Sequence, residues 1–142
     1  MEIRALTPTY AVSPQINLGD LAAIREAGYT TIIDNRPDGE VSPDLQTAPM
    51  RAAAEAAGLS FVANPVTGGM LTMQNVEAQA AAIATATGPV LAYCASGNRS
   101  SIVWALALAG KMPTDELISL PARHGYQLEG LRGQIDALAR NG

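Results

Sequence analysis

Apolar and polar positions along this chain follow two rhythms. Residues 30–33, 59–63 and 90–94 are short, continuous apolar or β-branched runs, which predicts buried strands. Helical spacing fills the intervals. Leu18, Leu21, Ala22 and Ile24 share one face, opened by Asn17 as N-cap with Asp20 behind it and closed by Gly28. A second helix opens at Ser42-Pro43 or Thr47-Ala48-Pro49 and stops at Gly58. A third covers residues 75–86, with Thr72 as its N-cap. Residues 3–16 carry Pro8 and Pro14, predicting one or two short edge strands and a turn. After the apolar run 102–109 come a turn at 110–113, Thr114 as N-cap, a helix around 115–122 and a last one from about Gln127 to Arg140.

Strands alternating with helices predict βαβ units: an α/β domain with a mostly parallel central sheet and helices on both faces. Ligands of such sheets bind at the carboxyl ends of the strands. The polar loops 34–40, 64–73 and 94–100 all follow strands, so they are expected to meet on one side.

The stretch Val90-Leu91-Ala92-Tyr93-Cys94-Ala95-Ser96-Gly97-Asn98-Arg99-Ser100-Ser101 carries the chemistry. A loop between a strand end and a helix start directs backbone N–H groups and the positive end of the helix dipole into one concavity. Cys94 at its mouth, near Arg99, is placed to react as a thiolate nucleophile. Ala95, Ser96, Gly97 and Asn98 form the anion cradle, with Gly97 permitting close backbone approach. The planar fork of Arg99 suits bidentate contact with an oxyanion. Ser100 either hydrogen-bonds the Cys94 thiolate or the leaving atom, or caps the helix. Arg36 either adds positive potential or, more in keeping with its neighbours Asp38 and Glu40, braces its own loop. Gly68 and Gly69 read as a turn, His124 as a helix-end residue, and Trp104 as core.

Composition narrows the partners. With 142 residues and 48% hydrophobic content the chain is long enough for one domain with a real core. A net charge of −4 argues against nucleic acid or an anionic membrane as partner. A single cysteine offers no internal disulfide, and no ligand-type residues cluster at metal spacing, so neither metal nor cofactor is expected. No apolar run has signal-peptide or membrane-spanning length, which leads us to expect a cytoplasmic protein.

Several strings together resemble a family: Tyr10 with Ser13-Pro14-Gln15-Ile16, Gly28-Tyr29-Thr30-Thr31-Ile32-Ile33, Asn35-Arg36-Pro37-Asp38-Gly39-Glu40, Asn64-Pro65-Val66, and Cys94-x-Ser96-Gly97-x-Arg99-Ser100. The chain is similar along nearly its whole length to the bacterial beta-lactamase-hydrolase-like phosphatase-like domain (DUF442). The resemblance implies a fold like that of dual-specificity cysteine phosphatases. It also implies Cys94 as nucleophile, the 95–98 loop with Arg99 as cradle, and Arg36 nearby. Family members occur alone or fused to a metallo-β-lactamase-like persulfide dioxygenase, a possible partner, and some are described as sulfurtransferases.

Two departures from cysteine phosphatases shape the expectation. Those enzymes place five residues between cysteine and arginine; only four separate Cys94 from Arg99, as in many rhodanese-like sulfurtransferases. The 64–73 loop holds no Asp or Glu, and a phosphatase lacking its general acid loses about 10²–10⁴-fold. Tyr93 also stands where many relatives have His. A departing thiolate needs no acid. The leading expectation is therefore a sulfurtransferase in which Cys94 becomes a persulfide, with a small persulfide or thiosulfate as donor. The alternative is a phosphatase acting on a phosphate ester through a phosphocysteine, with Asp34, Asp38 or Asp44 as acid. A third reading is a non-catalytic anion- or redox-sensing module.

Overall fold

The computed structural model describes residues 1–141. Its sheet has the spatial order β1-β2-β5-β3-β4, built from β1 (Arg4–Thr7), β2 (Tyr10–Ser13), β3 (Thr31–Asp34), β4 (Ser60–Ala63) and β5 (Val90–Tyr93). All neighbours pair in parallel except β1 with β2. β5 lies at the centre, so the Cys94 loop leaves the middle of the sheet. Residues 10–13 were expected in edge strands, yet β2 is interior and buried at every position. Pro8 falls in the turn before β2 and Pro14 beyond its end, so neither removes a ladder donor.

The helices are α1 (Leu21–Glu26), α2 (Thr47–Ala56), α3 (Met73–Thr85), α4 (Asn98–Ala107), α5 (Thr114–Ala122) and α6 (Arg132–Asn141). Because strand side chains alternate, the sheet has two cores. Leu91 and Tyr93 of β5 pack with Leu21 and Ile24 of α1 and Met50 and Ala54 of α2. Val90 and Ala92 pack on the other face with Val76, Trp104, Leu117 and Ile135 from α3 to α6. α4 is apolar around most of its girth, and Ser100, Ser101 and 103–107 are all buried.

The helix starts follow the capping chemistry with one correction. Asn17 precedes a 3-10 turn that runs into α1, its amide held by the Asp20 carboxylate at 2.8 Å. Thr72 caps α3 by accepting from the Asn75 amide at 3.2 Å. Thr114, expected as a cap, is instead the first residue of α5, with Pro113 at the cap position. Its hydroxyl donates to Asp136 Oδ1 at 2.6 Å and ties α5 to α6. The last helix also starts later than expected, because Glu129–Leu131 form a separate 3-10 turn.

Candidate active site

β5 delivers Cys94 to the sheet's carboxyl edge, where it is 1% exposed. The chain turns at Gly97, whose φ of 97° serves as the left-handed cap of α4. That turn brings the Gly97 amide to 3.1 Å from Cys94 Sγ, to which it donates. The Asn98 amide donates to Ser96 Oγ at 3.2 Å. Among the described residues, the amides of Ser96, Arg99 and Ser100 donate to no protein acceptor. They lie at the positive end of a ten-residue helix.

Arg99 is held rigidly. Its Nη1 donates to Glu40 Oε2 at 2.9 Å and to the Val66 carbonyl at 2.7 Å, and its Nη2 donates to Glu40 Oε1 at 2.8 Å. Hydrogen bonding to Glu40 is the main reason its pKa is raised, and the nearby Cys94 adds to it. These bonds use the end-on face of the guanidinium. The side-on pair, Nε–H and the second Nη2–H, remains for an oxyanion.

Glu40 is shared. Arg36 Nε reaches its Oε1 at 3.2 Å, while Arg36 Nη1 donates to Gln15 Oε1 at 3.2 Å. The bracing expected of Arg36 is present, and Glu40 passes it on to Arg99. The Gln15 amide in turn donates to the Ala95 carbonyl at 3.4 Å. The three loops expected to converge do so, joined by a fourth, the segment after β2. Nothing in the sequence marked Glu40 as the partner of Arg99.

Below the loop lies a buried polar network. Ser100 Oγ donates to Asn35 Oδ1 at 2.9 Å rather than to Cys94, and Gly97 holds the cap position of α4. Asn35 and Asn64 each donate a side-chain N–H to Gln79 Oε1 at 2.9 Å. Gln79 donates to the Tyr10 hydroxyl, which donates to the Ser100 carbonyl at 2.9 Å. On the outer side, the Tyr126 hydroxyl donates to the Ser96 carbonyl at 2.7 Å and accepts from Arg4. Gln79, Tyr126 and Arg4 are position-fixing residues that sequence reasoning missed. Each comes from a distant segment.

The three carboxylates considered as acids are placed differently, and Asp44 Oδ1 accepts the Ser42 hydroxyl at 2.6 Å. Asp34 is 2% exposed, and burial raises its pKa to about 6, although its Oδ1 accepts the Arg36 amide at 2.9 Å. The Tyr93 hydroxyl, opposite Asp34 in the β3–β5 register, has no hydrogen-bond partner among the described residues. Asp38 Oδ1 accepts both the amide and the hydroxyl of Thr47, at 2.8 and 2.9 Å, at the start of α2. His124 lies at the end of α5, with Nε2 2.9 Å from the Ala5 carbonyl. Beside Arg99 opens an apolar cavity of about 250 Å³, lined by Val66, Leu71, Ile102, Leu106 and Leu131. No group of three or more potential metal ligands occurs among the described residues.

The chain is similar to known proteins along most of its length. Residues 2–111 match the family described as Beta-lactamase hydrolase-like protein, phosphatase-like domain. The chain belongs to that family. A Beta-lactamase hydrolase-like protein of Xylella fastidiosa is 36% identical over 130 residues, which is 90% of this chain and 30% of that protein. The chain thus spans about a third of the length of the curated relatives it matches. A provisionally named phosphatase from Neisseria meningitidis Z2491 superposes with a TM-score of 0.80 at 36% identity, covering 97% of this chain and 99% of that one. At 18% identity the fold also matches P. aeruginosa TpbA in complex with pTyr, with a TM-score of 0.58, covering 94% and 89% of the two chains. The domain is a phosphatase-like α/β fold of the cysteine-phosphatase kind, as the sequence resemblance implied.

Proposed function

We propose that this domain is a cysteine-dependent phosphatase of small phosphate monoesters. The expectation led with sulfur transfer; the family and its structural neighbours support phosphoryl chemistry better. The observation that carries the reading is the pairing of Cys94 with an arginine whose side-on fork stays open. Cys94 Sγ rests under the Gly97 amide, and Arg99 is locked by Glu40 and Val66.

The phosphoryl group sits on the amides of the 95–100 loop and the free edge of Arg99. These fixed donors match charge that builds on its oxygens in the transition state. Sγ attacks phosphorus in line, the P–O ester bond breaks, and a phosphocysteine forms. Water then attacks phosphorus, the S–P bond breaks, the thiolate returns and phosphate leaves. The apolar cavity beside Arg99 suits the body of an aryl or alkyl ester.

Two observations favour a second reading. Four residues, not five, separate Cys94 from Arg99, and the 64–73 loop is free of Asp and Glu, which suits sulfur transfer through a Cys94 persulfide, with a persulfide dioxygenase as possible partner. One experiment separates the two. Wild type and Cys94→Ser are incubated with phenyl phosphate or glutathione persulfide, with phosphate assayed and intact mass measured. Cys94-dependent phosphate release supports the phosphatase. One added sulfur on wild type, without phosphate release, replaces it with the sulfurtransferase. Stabilisation by phosphate with neither turnover leaves an anion-sensing module.

No helix among the described residues is long and apolar enough to cross a membrane.

A further inference from the structure

Expelling a weakly acidic alcohol or phenol from phosphorus calls for a proton at the departing oxygen. The loop after β4, from which none of the residues 64–73 is acidic, does not provide it. Asp34 is buried at the end of β3, Asp38 is engaged with Thr47, and Asp44 is engaged with the Ser42 hydroxyl and makes no contact with Arg99 among the described residues. Glu40 differs from all three. It is one-third exposed, it bonds directly to Arg99, and its Oε1 uses one of the two hydrogens of Arg99 Nη2. A phosphoryl oxygen on the side-on edge would take the other. Carboxyl group and phosphoryl group then become neighbours across a single nitrogen.

We propose that Glu40 is the proton donor of this site, in addition to holding Arg99. The assignment rests on the phosphatase reading of Cys94. Arg99 first, and then Arg36, hold the Glu40 carboxyl below its usual pKa. A bound phosphoryl group draws on the same guanidinium and sets negative charge beside the carboxylate. Both effects favour its protonated form. As Sγ bonds to phosphorus and the ester P–O bond breaks, the Glu40 proton passes to the leaving oxygen and releases a neutral alcohol or phenol. In the second half, the Glu40 carboxylate takes a proton from the water that attacks the phosphocysteine. Phosphate and thiolate result, and the carboxyl is again protonated.

The test is the dependence of rate on the leaving group. kcat/KM is measured for phenyl phosphate and for 2,4-dinitrophenyl phosphate, whose phenolate departs without a proton, with wild type, Glu40→Gln and Glu40→Asp. The expected result is a loss of about 10²–10⁴-fold for Glu40→Gln on phenyl phosphate. The loss on the dinitrophenyl ester should be far smaller, and Glu40→Asp should recover part of the phenyl phosphate rate. The basic limb of the wild-type kcat profile should vanish in Glu40→Gln. An equal loss on both esters would overturn the proposal and leave Glu40 only the positioning of Arg99. If wild type releases no phosphate from either ester, the phosphatase reading itself fails, and this role with it.

Discussion

The Tyr126 hydroxyl occupies the space that a Cβ on Gly97 would need. Gly97 also has a φ of 97°, which side-chain-bearing residues rarely adopt. Two independent constraints therefore make this position glycine, and both act on the turn that aims its amide at Cys94. Tyr126, anchored by Arg4, closes the loop from outside while Ser100 and Asn35 hold it from beneath.

Gly97→Ala is expected to lower stability by about 1–3 kcal/mol through backbone strain, with a larger proportional loss of turnover than of folded protein. Tyr126→Phe keeps the ring and loses two hydrogen bonds, one to the Ser96 carbonyl and one from Arg4, so about 1–2 kcal/mol should go. Urea unfolding of both variants checks this. A Gly97→Ala midpoint equal to wild type would mean that the turn relaxes freely.

Arg99→Lys keeps the charge and loses the fork. It should reduce kcat/KM for phenyl phosphate by about 10²–10³-fold, as removal of a preorganised oxyanion donor does. Steady-state kinetics with a parallel Tm measurement decide whether the loss is catalytic. A comparable rate in the lysine variant would show that loop amides alone bind the oxyanion.

Asp34 predicts a pH dependence of stability. Burial raises its folded pKa from 3.8 to about 6, so the folded state holds this proton more tightly than the unfolded chain does. Its stabilising contribution is full below pH 3.8 and fades as pH rises through about 6. Asp34→Asn removes the titration and leaves an oxygen for the Arg36 amide. The Tm of wild type relative to Asp34→Asn should therefore fall as pH rises from about 3 to about 7, an interval that brackets both values. Parallel Tm profiles over that interval would contradict the burial argument.

Gln79→Leu removes one hydrogen bond from each of three buried groups, the side-chain amides of Asn35 and Asn64 and the Tyr10 hydroxyl, and leaves an N–H of each asparagine without its acceptor. Leaving even one such group unsatisfied costs about 1–3 kcal/mol, so a loss of at least about 2 kcal/mol is expected. Because Asn35 also receives Ser100, turnover per folded molecule should fall as well. Chemical denaturation and kinetics together test the link; a stability loss with unchanged turnover would confine the network to folding.

Local pattern made much of this molecule legible. Apolar runs set the strands after β2, capping residues set α1 and α3, and the strand–loop–helix around Cys94 marked the candidate nucleophile and Arg99. Such features depend on neighbours in sequence, where burial periodicity and hydrogen-bonding chemistry act within a few residues. The interior position of β2 depended on β5, eighty residues away in the chain, and no local pattern encodes that pairing. The same holds at the site. Arg99 meets Glu40 across 59 positions and Gln79 meets Tyr10 across 69. An exposed glutamate in a loop, a glutamine in a helix and a tyrosine near the C-terminus carry no local signal of what they touch. The residue types capable of the chemistry were written in the sequence; only the folded sheet, by bringing four loops to the end of β5, decided which of them hold one another.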